Sequence, residues 1–119
     1  MDATGPETKL LSRLLAASEL RARVLNANIA NSNTPGYKRQ VVDFEDLLRE
    51  ALVKGSTASE TLQPIVRADL ETPARPDGNN VTLEAELNGL RENRLLYETY
   101  AAILANHFSL LDFAITGGR

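Results

Sequence analysis

TLEAELNGLRENRLLYETYAAILANHFSLLDFAI, residues 82–115, is the stretch that decides the fold. Leu83, Leu87, Leu90, Arg94, Tyr97, Ala101, Leu104, Phe108, Leu111 and Ile115 recur at alternating steps of four and three, for more than four heptads. That period belongs to an α-helix packed along a coiled-coil seam. Arg94 is the only charged member. At about 1.5 Å of rise per residue such a helix approaches 50 Å, longer than one small globule needs. Thr82 or Asn80 can cap its start, Glu84 and Glu86 suit the positive end of its dipole, and Gly117-Gly118 stops it. Asn88-Gly89 lies inside it, where glycine costs about 1 kcal/mol relative to alanine; the readings are a bend, a close approach by another helix, or a neutral surface glycine.

Working outward, the other end of the chain repeats the pattern. Leu11, Leu15, Ser18, Ala22, Leu25 and Ile29 follow a 4-3-4-3-4 spacing, which predicts a helix over residues 7–31. Leu10, Leu14, Ala17 and Val24 widen its stripe. The N-terminal helix carries a net charge of +2 and the C-terminal one −3. Opposite signs favour laying one against the other, in the same chain or a neighbour. Exposed ion pairs stabilise by less than about 1 kcal/mol each, so charge selects the partner while buried leucines, at roughly 1.5–3 kcal/mol each, hold it.

Between the two, residues 32–42 read as a turn region. Pro35 disfavours helical geometry at Thr34, and Gly36 suits the positive φ of a type II turn. Phe44, Leu47, Leu48, Ala51 and Leu52 give one apolar face to a short helix over 43–54, with Asp43 as N-cap and Gly55 as the residue after its end. Residues 55–81 are rich in Ser, Thr, Gly and Pro, and only Ile65-Val66 hints at a strand. Asp77-Gly78-Asn79-Asn80 reads as a tight turn leading into the last helix; its spacing fails as a calcium loop, because the twelfth position is Asn88. The expected fold is a single all-α domain over 1–119. Its long N- and C-terminal helices pair as an antiparallel coiled-coil hairpin, joined through a short amphipathic helix and an irregular loop.

Composition excludes several functions. The chain has 119 residues, no Cys, no Trp and a net charge of −3. Thiol catalysis, disulfides and thiolate metal sites are ruled out, and no basic surplus exists to hold nucleic acid. No apolar run is long enough to span a membrane, and Met1 to Glu7 lack the features of a cleaved leader. His107 stands beside the seam with only Ser109 and Asp112 as helical neighbours, which is no catalytic constellation. Asp43, Glu45 and Asp46 are better explained by a helix start than by a metal. No enzyme, cofactor or metal site is expected.

One motif is specific. Asn28-Ile29-Ala30-Asn31-Ser32-Asn33-Thr34-Pro35-Gly36-Tyr37 resembles the signature of flagellar axial proteins, the rod, hook and hook-associated subunits, roughly N-I-A-N-x-x-T-P-G-Y. Every defined position matches. Val42-Asp43-Phe44-Glu45, Asp77-Gly78-Asn79-Asn80-Val81, and the spaced Glu86, Asn93 and Tyr97 are similar to features of the short proximal rod subunits in that family. The resemblance covers roughly residues 10–115. It implies a structural subunit of the basal-body rod that crosses the periplasm and is exported by the flagellar type III apparatus without signal cleavage. Its implied partners are further copies of itself, other rod proteins, the rod–MS-ring adaptor and the export gate, with no nucleic acid. Asn28, Ile29, Ala30, Asn31, Asn33, Thr34, Pro35, Gly36 and Tyr37 are then expected to shape an assembly junction; the alternative is a helix stop that matters only to the subunit's own fold. In the residues themselves, Asn28 and Asn31 can bond carbonyls freed at the helix end. Tyr37 offers an apolar body with a polar tip to a neighbour. The rival readings are another axial subunit of the family, or a membrane-surface amphipathic protein, which the net acidic C-terminal helix disfavours.

Overall fold

The computed structural model describes residues 5–54 and 61–117. Five elements follow one another: α1 (Pro6–Ala30), β1 (Gln40–Asp43), α2 (Glu45–Val53), β2 (Ile65–Ala68) and α3 (Leu83–Thr116). The described chain is drawn out to 64 × 32 × 15 Å, because α3 alone is 34 residues long.

Helix α1 starts with proline in its first turn, where a missing N–H costs nothing. It ends at Asn31, whose backbone N–H bonds back to Ala27 and Asn28 and whose Nδ2 donates to the Ala27 carbonyl at 2.8 Å. Helix α3 ends on Gly117 in the left-handed conformation, φ 71°. Neither α2 nor α3 has a side-chain N-cap bond. Thr82 occupies the cap position of α3 without bonding, and Asn80 faces elsewhere. Asp43, expected to cap α2, is instead the last residue of β1, and its carboxylate pairs with Arg67 at 2.5 Å. Phe44 takes the cap position because its ring is needed inside: with Ala17 and Leu48 it forms the apolar core, flanked by Leu10, Leu14 and Leu62. The expected role of Gly55 lies outside the described residues.

The chain is mostly helical but not all-α. Strands β1 and β2 pair antiparallel, with Gln40 opposite Ala68, Val41 opposite Arg67, Val42 opposite Val66 and Asp43 opposite Ile65. Val41-Val42 and Ile65-Val66 are β-branched pairs that prefer extended backbone, and the two strands supply each other's ladder partners. The outer edge of β1 is covered by α1: Asn28 bonds both backbone groups of Gln40, and Arg21 donates to the Val42 carbonyl.

Helices α1 and α3 pack along each other, and their contacts run in opposite order. Asn28 meets Glu86, Leu25 meets Gly89, Asn93 meets Ser18, and Glu7 approaches His107. Gly89 explains itself here: a Cβ on it would lie 3.1 Å from Leu25 Cδ2, so its absence lets α1 come close. The opposite net charges do not act through α1–α3 ion pairs at Arg13 and Arg21. Those two side chains reach the Leu62 carbonyl and Glu45 instead.

The face of α3 turned to α1 is offset from the apolar stripe read in the sequence. Its buried or half-buried positions are Glu86, Gly89, Leu90, Asn93, Tyr100, Ala101, Leu104, His107 and Leu111. On α1, Leu11 and Leu25 are buried and Leu15 and Ile29 half-buried. Leu83, Leu87, Tyr97, Phe108 and Ile115 remain exposed, Ile115 by 74%. One step along a helix turns a side chain by about 100°. Counting apolar residues selects the greasier stripe, but polar residues that find partners pack inward just as well.

Candidate functional site

At one end of the α1–α3 pair the two turns singled out in the sequence meet. The first is the Asn28–Tyr37 stretch, the second Asp77–Asn80. The Gly36 N–H donates to the Asp77 carbonyl at 2.8 Å, and the Lys38 ammonium reaches the Gly78 carbonyl. Asn79, fully buried, donates from Nδ2 to the carbonyls of Asn31 (2.8 Å) and Thr34 (2.9 Å) while its Oδ1 accepts from the Val81 N–H. Those carbonyls lie at and just past the end of α1, where no helical partner remains. Arg75 adds a bond to the Ser32 carbonyl. Gly36 and Gly78 both have positive φ, 76° and 86°, and a Cβ on Gly78 would stand 3.2 Å from Gly36 Cα. Two glycine turns thus touch backbone to backbone.

Beneath them lies a buried polar network centred on Asn28. Its Nδ2 donates to the Gln40 carbonyl (2.9 Å) and to Glu86 Oε2 (3.0 Å). Its Oδ1 accepts from the Gln40 N–H (2.8 Å) and the Tyr37 hydroxyl (3.0 Å). Glu86 has no exposed surface, and its other oxygen accepts from Arg39 Nε at 2.6 Å. Arg39 also pairs with Asp69 at 2.7 Å, and its N–H donates to Asn80 Oδ1. Asn80 Nδ2 in turn donates to the Asp69 carbonyl. Every charge here has an opposite charge and a hydrogen bond, the condition under which burial is tolerable. The Asp69 carboxyl is held well below the usual carboxylate range by the Thr72 hydroxyl first, then by Arg39 and the Thr72 and Glu71 amides. Burial, helped by the nearby Glu86 charge, pushes the Tyr37 hydroxyl above its ordinary value.

These contacts assign the signature residues individually. Asn31 bonds a helix-end carbonyl, as its position in the sequence suggested, whereas Asn28 leaves the helix to join β1 and α3. Tyr37 turns its hydroxyl inward to Asn28. Ile29 is half-buried, and Ala30, Asn33, Thr34, Pro35 and Gly36 are exposed at the tip, with Thr34 donating to Asn31 Oδ1. Arg39, Asp69 and Arg75 carry no local motif and emerge only from the three-dimensional arrangement. Glu86 and Asn93 stood in the sequence as matches to a pattern without an assigned partner.

Elsewhere the acidic residues near α2 diverge: Asp43 faces Arg67, Glu45 faces Arg21 at 2.6 Å, and Asp46 lies 3.4 Å from Arg49. Burial pushes the Glu45 carboxyl up, but the hydrogen bonds and charge of Arg21 bring it below its ordinary value. No helix among the described residues is long and apolar enough to cross a membrane.

The sequence of this junction points to a class, the rod proteins of the flagellar basal body. The family described as flagella basal body rod protein matches residues 15–38, from the middle of α1 through the signature. Full-length likeness is to flagellar basal body rod protein FlgB. The protein of that name in Cereibacter sphaeroides is 33% identical, over 89% of this chain and 91% of the relative. Those of Borrelia hermsii (29% identical, 89% and 93% covered) and Bacillus subtilis (25%, 92% and 92%) agree. The chain belongs to the FlgB family and is a structural subunit of the flagellar basal body rod.

Proposed function

We propose that this subunit builds the proximal part of the rod, packing with further copies of itself and with other rod proteins into the shaft that transmits torque across the periplasm. Helices α1 and α3 act as a coiled-coil hairpin, and the hairpin is the packing unit. The observation that carries this reading is the apolar surface α3 leaves uncovered: Leu83, Leu87, Leu95, Phe108, Leu110, Phe113 and Ile115 are all exposed. Apolar side chains on the sides of a helix that its partner does not cover call for further cover, and with α1 packed on only one side of α3 that cover comes from neighbouring subunits. The exposed tip, residues 33–36, supplies a second contact, and the rod–MS-ring adaptor and the export gate are the neighbours at the rod's base. Passage to the periplasm runs through the flagellar type III apparatus.

The test uses exposed positions, so that the subunit's own fold is spared. Leu87→Asp and Phe108→Asp should leave the circular dichroism of the purified chain unchanged. In a strain lacking its own copy of the gene they should abolish swimming and leave basal bodies without rods by electron microscopy. Normal motility from both variants would sink the proposal.

A further inference from the structure

Helix α3 presents two overlapping 4-3 stripes. One, Leu83, Leu87, Leu90, Arg94, Tyr97, Ala101, Leu104, Phe108, Leu111 and Ile115, is almost wholly apolar. The other shares Leu90, Tyr97, Leu104 and Leu111 but has Glu86, Asn93, Tyr100 and His107 at the alternate places. Hydrophobic burial alone would seat the first against α1. The second, apart from the exposed Tyr97, is the one that faces it.

We infer that Glu86 and Asn93 choose the face that α3 turns to α1, and that Arg94 blocks the greasier alternative. Glu86 reaches Asn28 and Arg39 only from the observed face. Asn93 donates to the Ser18 carbonyl at 2.8 Å, deep in the interface. This contact is not an optimal stabiliser. Asn93 Oδ1 and Ser18 Oγ are buried with no hydrogen-bond partner among the described residues. A leucine at 93 would remove the unpaired Oδ1, so stability alone does not account for the asparagine. A polar residue at an otherwise apolar seam position trades stability for a single pairing geometry, because every other register leaves it unpaired in a dry interface. Arg94 works from the opposite direction. It lies in the middle of the competing stripe, its side chain is 82% exposed, and it pairs with Glu98 at 3.1 Å. Rotating α3 to bring the apolar stripe inward would bury that guanidinium against α1. The positive and the negative device sit next to each other in sequence.

The inference concerns pairing within one chain and stands whether or not the outward stripe meets neighbouring rod subunits. The absence of cysteine makes it testable by engineered disulfides. Ala22 and Leu90 line one cleft between the helices, while Val24 lines the cleft on the other side. In the observed arrangement the Ala22→Cys/Leu90→Cys pair should cross-link about tenfold faster than Val24→Cys/Leu90→Cys, since thiols aimed apart cannot bridge. Adding Glu86→Leu and Asn93→Leu should bring the two rates together or invert them. Arg94→Leu, which disturbs no buried group, should raise the Val24/Leu90 rate alone. If the double leucine variant keeps the Ala22/Leu90 preference, or if both pairs react equally in the otherwise unsubstituted chain, the inference is overturned. Should the double variant fail to fold, Asn93→Leu alone and Arg94→Leu decide: an unchanged ratio in both rejects it.

Discussion

Replacing Asn28 with alanine removes four hydrogen bonds from one fully buried side chain. Three are to neutral partners, worth about 0.5–1.5 kcal/mol each, and one is to the Glu86 carboxylate, worth about 1.5–3, which gives roughly 3–7 kcal/mol before relaxation. Gln40 and Tyr37 are half-buried, so water can take up some of the freed groups, and a loss near the bottom of that range, about 3 kcal/mol, is expected. For a urea slope of about 1.5 kcal/mol per molar this lowers the unfolding midpoint by about 2 M. The assay is urea unfolding of the full chain followed by far-ultraviolet circular dichroism. Asn28→Asp provides the control for mechanism. It keeps the shape and two acceptors but loses both donors and sets a second carboxylate where a donor now stands 3.0 Å from Glu86. At neutral pH it should lose at least as much as the alanine variant, and part of the loss should return in acid as the two carboxylates share a proton. A loss below about 1 kcal/mol for the alanine variant, or wild-type stability for the aspartate, would refute a role for Asn28 in holding this junction together.

Other outcomes follow from the same contacts. Gly78→Ala combines a positive φ with a backbone clash at 3.2 Å and should cost about 2–3 kcal/mol, whereas Gly36→Ala meets open space and should cost only the left-handed penalty of about 1–2; equal losses in thermal or urea unfolding would contradict this ordering. Because the Asp69 carboxyl titrates lower in the folded chain than in the unfolded one, its contribution is complete above the unfolded value, about 4, and is lost as pH falls further. Asp69→Asn should therefore flatten the acid limb of a stability-versus-pH curve, and an unaltered limb would argue against the pairing. Gly89→Leu should push α1 away, since even a Cβ there lies 3.1 Å from Leu25, and it should raise the hydrodynamic radius or lower helicity; a neutral result would mean that the helices do not approach closely at this point.

The long helices were legible in the sequence because a 4-3 pattern sustained over many turns has no other stable reading. Their ends were legible too, since Pro35, Gly36 and Gly117 act through local backbone geometry. Of the strands only β2 was, through Ile65-Val66; β1 and the pairing were not. Each is four residues long, and Val41-Val42 reveals nothing about Ile65-Val66 until the chain brings them together. The inward face of α3 was hidden for a related reason. Counting apolar residues values Glu86 and Asn93 as surface, and only the partners at Asn28, Arg39 and Ser18 make them interior. At the site, the two turns could each be read from their own residues, but their meeting depends on Asn79 spanning to the carbonyls of Asn31 and Thr34. The local pattern suggests for Asn28 only a bond to carbonyls freed at the helix end, because its reach to a strand and to a second helix has no trace there.

The clustering of ties between residues 28–40 and 69–86 has a mechanical consequence. A pair of long arms locked together at one end behaves like a pair of tongs. Load entering near the lock is shared by many short bonds at once and meets high stiffness. Load entering near the tips, where Glu7 and His107 are 3.7 Å apart, acts through a long lever and meets little. One subunit is thus stiffest where it is clamped and most yielding toward the far ends of its arms.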